Sequence, residues 1–479
     1  MDTLPPQACA GSAGTAAHVL LVPYPAQGHL LPLLDLAALL ASRGLAVTVA
    51  VTAGNAPLLA PLAAAHPSVA TLALPFPAAG TSRLFRPFMA SLAALRAPLL
   101  AWCEHQPSGR RVTAVVSDFF TGWTRPLAAE LGVPHVTFSP SAALHLAMSH
   151  SLWRHLPRRR GQENDADEAV TFTEIPGSPR FPWSQLSWLY RQHVPGDEVS
   201  EAIRQLFLWN LDSTCFVVNT FAALEPRYVA RPLPDLMSKR MLAVGPLADA
   251  AATARSSSSS GDRGGKPAVA AASLAAWLDA FPDGSVVYVS FGTQQALSPA
   301  QAACVADALA RSGAPFVWAA ARAAVPLPEG FEPATASRGL VVRGWAPQVE
   351  VLRHRAVGAF LTHCGWNSAL EAAAAGVAML AWPMSADQFT DARLLAEAGV
   401  AVPVAEGADA VPDAGRVVSA IAAAVGGEEG RHVRERAAEL GRKAAAAVAE
   451  GGSSRGDLDE LVRMLTHGGR LTVVQGSTH

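Results

Sequence analysis

Two residues in the N-terminal half have the types and placement for proton transfer. His29 follows Gly28 at the start of a helical segment after an apolar strand, and Asp118 follows a second strand, Val112 to Ser117. In an open parallel sheet, ligands bind beyond the carboxyl ends of the strands, so both loops can face one crevice. A carboxylate that accepts the ring N–H of a histidine fixes its tautomer and makes the free nitrogen more basic, as a general base requires. Taken alone, the pair equally fits a helix-capping histidine beside an unrelated acidic turn, because the chain holds 14 histidines.

The C-terminal half carries a denser constellation, the 44-residue run from Trp345 to Gln388. Within it a strand, Val357 to Thr362, feeds His363-Cys364-Gly365-Trp366 and then a helix that starts near Asn367 and stops at Gly376. A helix N-terminus offers free backbone N–H groups and a positive dipole end, which suits a diphosphate. The side chains of His363, Asn367 and Ser368 add donors there. Glu371 lies one turn further on the same face, where a carboxylate can take both hydroxyls of a ribose. Trp345 offers a flat face on which a base can stack.

The run resembles the donor-binding signature of plant secondary-metabolite UDP-glycosyltransferases, glycosyltransferase family 1, from its opening Trp-Ala-Pro-Gln to its closing Asp-Gln. Val22 to His29 resembles the catalytic loop of that family, Ser117-Asp118 its acidic partner, and Val289 to Thr293 its phosphate loop. The resemblance implies that His29 deprotonates the acceptor and that Asp118 steadies the imidazolium. It puts Trp345, the Ala346 backbone and Gln348 on the uracil and ribose, and Glu371 on the ribose hydroxyls. Thr293, His363, Asn367 and Ser368 fall to the diphosphate, with Gly292 and Gly365 also on the donor. Trp366, Asp387 and Gln388 fall to the sugar, with Ser141 beside them. Gly28, Phe88 and Phe119 are expected on the acceptor side, with Phe85 as a further wall. The implied fold is GT-B: two facing Rossmann-like domains with parallel sheets, and a C-terminal helix that returns to the first.

The elements that must position these residues agree with that fold class. His18 to Tyr24 is a continuous apolar run, typical of a strand covered on both faces. It alternates with a helix from Leu30 to Ser42 and further strands at Ala46 to Val51, His135 to Ser139 and around Cys215 to Asn219. After a Ser/Gly-rich stretch the pattern restarts with Ser285 to Phe291, and strands follow at Pro315 to Ala320, Leu340 to Arg343 and Ala378 to Trp382. Ser298-Pro299 opens a helix that Gly313 ends. A late strand is expected at Leu471 to Val474. The domains expected are 1–247 for the acceptor, a flexible linker at 248–272, 273–458 for the UDP-sugar, and a returning helix and tail at 459–479. The stretch His145 to Gln192 reads as a charged surface loop whose tryptophans and tyrosine alternatively line a pocket mouth.

Composition removes several other classes. Hydrophobic residues make up 50% of the 479 and charged residues 16%, enough for large cores. A net charge of −2 lacks the basic excess of a nucleic-acid binder. The N-terminus lacks the charged start of a secretory signal, and Leu30 to Ala41 is too short to span a bilayer. Five scattered cysteines read as free thiols in the cytoplasm. No two glycines are separated by a single residue, which removes the dinucleotide fingerprint of a dehydrogenase. Asp165-Ala166-Asp167 and Asp457-Leu458-Asp459 read as solvated acids rather than a metal clamp, so no metal is expected. The resemblance therefore implies an inverting, metal-independent monomer that moves glucose from UDP-glucose to a small phenol, with other UDP-sugars or a non-catalytic binder as alternatives.

Overall fold

The computed structural model describes residues 17–467 apart from 76–84, 160–167, 249, 251–266, 294 and 321–326. Two parallel sheets organise them. The first contains β1 (His18–Val22), β2 (Ala46–Thr52), β3 (Val69–Leu74), β4 (Ala114–Asp118), β5 (His135–Ser139), β8 (Cys215–Val218) and β9 (Met241–Ala243). Their spatial order is β3-β2-β1-β4-β5-β8-β9. A small antiparallel pair, β6 (Ala169–Thr171) and β7 (Arg180–Pro182), stands apart. The second sheet contains β10 (Val286–Ser290), β11 (Phe316–Ala320), β12 (Gly339–Arg343), β13 (Val357–Thr362), β14 (Ala378–Ala381) and β15 (Ala401–Pro403), in the order β12-β11-β10-β13-β14-β15.

Both orders reverse direction beside the first strand of their sheet, between β1 and β4 and again between β10 and β13. Such a switch point opens a crevice at the carboxyl ends of the strands. In the first sheet it lies beside His29 and Asp118; in the second it lies beside Thr293 and His363. The central strands are buried on both faces, so β1, β4, β10 and β11 have no exposed residue. That is why they read as unbroken apolar runs. Ser298 caps helix Pro299–Ser312 in a full capping box, and Gly313 ends it at φ 68°.

Several expectations change. Strand β4 runs through Asp118, so the carboxylate belongs to the last strand residue rather than to the following loop. β3, β9 and β15 were missed: β9 and β15 are three residues long, and β3 alternates too weakly to stand out. The stretch His145 to Gln192 is largely ordered. Trp153 and Tyr190 are core residues, 1% and 4% exposed, whereas Trp188 lines the cleft. Asp165 to Asp167, most of the linker and the strand expected at Leu471 to Val474 lie outside the described residues.

Helix Ser453–Thr466 runs unbroken through the boundary expected at 458 and docks on the first sheet. Leu458, Leu461, Met464 and Leu465 pack with Val217, Leu242 and Val244 in one core. Asp457 is not a solvated acid: its carboxylate accepts the Ala243 N–H at 2.8 Å, and burial raises its pKa. Asp459 pairs with Arg43, and Glu460 with Arg240. The apolar stripe and its acidic edge thus face one surface of the first domain.

Candidate active site

Helix Gln27–Ser42 begins where β1 ends and presents His29 in its first turn. Nδ1 of His29 lies 2.9 Å from Oδ2 of Asp118. The other oxygen, Oδ1, accepts the backbone N–H of Phe120 at 2.8 Å, so the carboxylate cannot swing away. Thr121 ties the two loops, its hydroxyl lying 3.0 Å from the Val22 carbonyl and 2.8 Å from that of Asp118. A carboxylate only accepts, so Nδ1 carries the proton and Nε2 keeps its lone pair. Asp118 is fully buried, while the His29 side chain is 19% exposed at the cleft. Aromatic rings surround the imidazole: Tyr24 at 5.2 Å, Phe119 at 5.8 Å and Phe120 at 4.7 Å between centroids. Burial and the nearby Asp118 charge raise the Tyr24 pKa, so its phenol stays neutral.

Across a cleft of about 380 Å³, the second sheet supplies the facing wall. Helix Trp366–Ala375 has no side-chain cap and no acidic residue in its first turn, leaving its N-terminal N–H groups directed at the cleft. His363 lies between two glycines. A Cβ on Gly292 would come within 2.8 Å of its Nε2, and one on Gly365 within 2.6 Å, so both positions need the bare backbone. Burial pushes the His363 pKa down to about 4 against the pull of Asp387, so the ring is neutral. Gln348 ties two helix residues together: its amide donates to Ser368 Oγ at 3.0 Å and to Glu371 Oε2 at 2.8 Å. Cys364 and Ala386 adopt φ of 65° and 55°, rare for residues with a side chain, at the turns leading into this wall.

Gln388 lines the cleft with its amide anchored to the backbone just before its helix. Its Oε1 accepts two backbone N–H groups, Met384 at 2.9 Å and Ser385 at 3.0 Å. Backbone N–H groups can only donate, which fixes the amide orientation; Nε2 then faces Ser385 Oγ at 3.5 Å. Trp366 is held from the first domain: its indole N–H donates to the Asn219 carbonyl at 2.7 Å.

Two further bonds cross the cleft. Ser141 Oγ donates to Asp387 Oδ2 at 3.0 Å, and Asn367 Nδ2 donates to the Gly28 carbonyl at 2.8 Å. The second has a covalent origin in the first helix. Pro32 has no N–H, so the carbonyl four residues earlier, that of Gly28, loses its helical donor. Asn367 takes the vacated lone pair, leaving its own buried Oδ1 without a protein partner.

All the sequence-derived donor positions line the same cleft: Gly292, Thr293, Trp345, Ala346, Gln348, His363, Gly365, Trp366, Asn367, Ser368, Glu371, Asp387 and Gln388, with Ser141 opposite. Gly28, Phe85 and Phe119 line it too. Phe88 does not: it packs edge-on behind Tyr24, 6.2 Å between centroids, one layer back from the wall. Tyr24, Phe120, His145 and Tyr288 are lining residues that sequence reasoning passed over, and Trp188 takes the pocket-mouth alternative read for its stretch. His145 is half-buried, and desolvation lowers its pKa; its Nδ1 has no hydrogen-bond partner. It sits one helical turn beyond Ser141, a spacing that could have flagged it. Trp188 is brought in by a tertiary path with no local pattern.

Known proteins similar to this chain agree with that geometry along its length. Residues 264–421 match the family model "UDP-glucoronosyl and UDP-glucosyl transferase", and residues 16–56 match "Glycosyltransferase, N-terminal domain". The chain is 43% identical to UDP-glycosyltransferase 89B2 of Stevia rebaudiana, over 94% of this chain and 98% of that protein. It is 42% identical to flavonol 3-O-glucosyltransferase UGT89B1 of Arabidopsis thaliana, over 94% and 96%. The crystal structure of Arabidopsis thaliana UGT89C1 complexed with UDP-L-rhamnose superposes with a TM-score of 0.75 at 32% identity, covering 94% of this chain and 99% of that one. With sequence, fold and cleft in agreement over nearly its whole length, the chain belongs to the plant UDP-glycosyltransferases, GT-B enzymes that transfer a sugar from a UDP-sugar.

Proposed function

We propose that the chain is an inverting transferase that moves glucose from UDP-glucose onto a hydroxyl of a small phenol of the flavonoid or hydroxybenzoate class. The observation that carries the reading is the 2.9 Å contact between His29 Nδ1 and the doubly held Asp118. It stands between a box of aromatic rings on one side and an uncapped helix N-terminus on the other. The acceptor oxygen, deprotonated by Nε2 of His29, attacks the anomeric carbon opposite the leaving UDP in a single displacement. Charge developing on the diphosphate meets the N-terminal N–H groups of helix Trp366–Ala375 together with Thr293, His363 and Ser368, without need of a metal. Trp345, Gln348 and Glu371 hold the nucleoside, while Asp387 and the Gln388 amide hold the sugar. The flat apolar wall of Phe85, Phe119, Phe120 and Trp188 suits an aromatic acceptor.

Rhamnose is the second donor to weigh, because the similar UGT89C1 structure is complexed with UDP-L-rhamnose. We read the enzyme as a cytoplasmic monomer; its described cysteines Cys103, Cys215, Cys304 and Cys364 are all free and buried. Among the described residues no helix is long and apolar enough to cross a membrane. Competition among UDP-glucose, UDP-rhamnose, UDP-xylose and UDP-galactose over a panel of phenols, read by product mass, tests the reading. A β-glucoside as main product supports it; a preference for another donor, or no transfer to any phenol, overturns it.

A further inference from the structure

On the far side of the first domain, three chain segments bring together groups that the transfer reaction does not use. His155 ends helix Ala143–His155, Glu174 lies in the turn between β6 and β7, and Asp235 lies in the short turn Pro234–Leu236. Nε2 of His155 is 3.7 Å from Glu174 Oε2 and 3.9 Å from Asp235 Oδ1. One ligand atom from each of the three lies within 4.8 Å of the others.

Asp235 makes this more than a loose surface cluster. It is 0% exposed, and neither carboxylate oxygen has a hydrogen-bond partner. A buried carboxylate without donors is costly unless it is paired or coordinates a metal. The imidazole beside it stands beyond hydrogen-bonding distance. The His155 and Glu174 side chains are each 47% exposed, which leaves an entrance from solvent and two ligands free to adjust.

We propose that His155, Glu174 and Asp235 form a structural site for a divalent transition-metal ion of the zinc class. The donor set selects the class: one imidazole nitrogen with two carboxylate oxygens suits zinc, whereas calcium and magnesium take oxygen ligands. Tetrahedral bonds of about 2.0–2.1 Å put ligand atoms roughly 3.4 Å apart. The two distances to His155 therefore have to shorten by only a few tenths of an ångström, with water in the fourth position. Such an ion would clamp the β6–β7 hairpin, which leads into Trp188, to the helix that carries His145 at its other end. Ten residues separate His145 from His155, about 15 Å at the rise of a helix. The ion therefore supports the acceptor wall without touching the reacting atoms. Because the ligands lie 19 and 61 residues apart in sequence, no metal-binding spacing announces them.

The test is a titration of chelator-treated, full-length protein with Zn²⁺ alone, read by bound metal per chain and by Tm. Wild type should bind one more ion than Asp235→Asn and one more than His155→Gln. At about 100 µM Zn²⁺ its Tm should rise by roughly 2 °C or more, a rise that both variants lose. Mg²⁺ at the same concentration should give no rise. His155 is half-exposed, so His155→Gln leaves the fold intact and keeps the test decisive even if Asp235→Asn does not fold. Equal zinc content in wild type and His155→Gln, or no rise in the wild-type Tm, would overturn the proposal.

Discussion

Replacing Gly365 by alanine isolates a single contact at the diphosphate end of the cleft. The added Cβ would sit 2.6 Å from Nε2 of His363, with Cε1 and Cδ2 at 3.2 and 3.3 Å. Ordinary contact begins near 3.4 Å, so the ring has to retreat by roughly 0.8 Å. It cannot do so freely, because the ring is buried and the Gly292 backbone holds its Nε2 side from another direction. The backbone itself accepts alanine without strain, since φ at 365 is −58°. A misplacement of about 1 Å in a preorganised site can cost on the order of a hundredfold. Gly365→Ala should therefore lower kcat/KM for UDP-glucose by about ten- to a hundredfold and weaken UDP binding at least about tenfold, roughly 1.4 kcal/mol. Stability should fall by no more than about 1 kcal/mol, the scale of an N-cap change. Calorimetric titration with UDP, steady-state kinetics and a thermal melt read the three quantities. The double variant with His363→Ala should lose little beyond His363→Ala alone, because both changes act through one ring. UDP affinity within about twofold of wild type in Gly365→Ala would refute the placement of His363 at the diphosphate.

Gln388→Ala should lower UDP-glucose turnover about ten- to a hundredfold and also lower Tm, because the Met384 and Ser385 N–H groups lose their acceptor. Gln388→Glu keeps that acceptor, so it should lower turnover with a near-native melt; a wild-type rate would show that the amide does not meet the sugar. Pro32→Ala returns an N–H to compete for the Gly28 carbonyl, so it should raise Tm while raising KM for the donor, and an unchanged KM would show that Asn367 needs no docking partner. His135 is buried among Ser117, Thr124 and Ser213, and burial lowers its pKa to about 3. The unfolded chain therefore binds a proton between pH 6.5 and that value while the folded one does not, so this term makes stability fall as pH falls. Asp391 and Glu225, whose pKa values burial raises, act in the opposite direction. Comparing urea unfolding of wild type and His135→Gln between pH 6 and pH 4.5 isolates the term. The variant's slope should be smaller by up to about 1.4 kcal/mol per pH unit, and identical slopes would contradict a neutral His135.

The parts of the molecule legible in sequence share a physical cause. Strands buried on both faces must be continuously apolar, which is why β1, β10 and β13 stand out. Helix ends leave residue signatures, as Ser298, Gly313 and Gly376 show. The donor wall was legible because one strand–turn–helix unit carries most of it in consecutive residues. What remained hidden depends on long-range placement. Trp153 and Trp188 come from the same aromatic-rich stretch, yet one is core and the other cleft, and only tertiary packing separates them. Phe88 and Phe120 illustrate the same limit, since a phenylalanine beside a catalytic loop can face the cavity or back it. The side-chain directions of Gln388 and Trp366 were set by backbone partners at 384, 385 and 219, which residue type alone does not reveal.

The central claim is that His29, held by Asp118, takes the acceptor proton while the other domain holds the nucleotide. It is tested most directly by measuring glucosyl transfer and UDP affinity together in His29→Ala. The account predicts a loss of about a hundredfold or more in kcat/KM for weakly acidic phenols. The UDP dissociation constant should stay within about twofold, because no nucleotide-binding residue is touched. Near wild-type turnover in His29→Ala, or an equal loss of UDP binding, would contradict it.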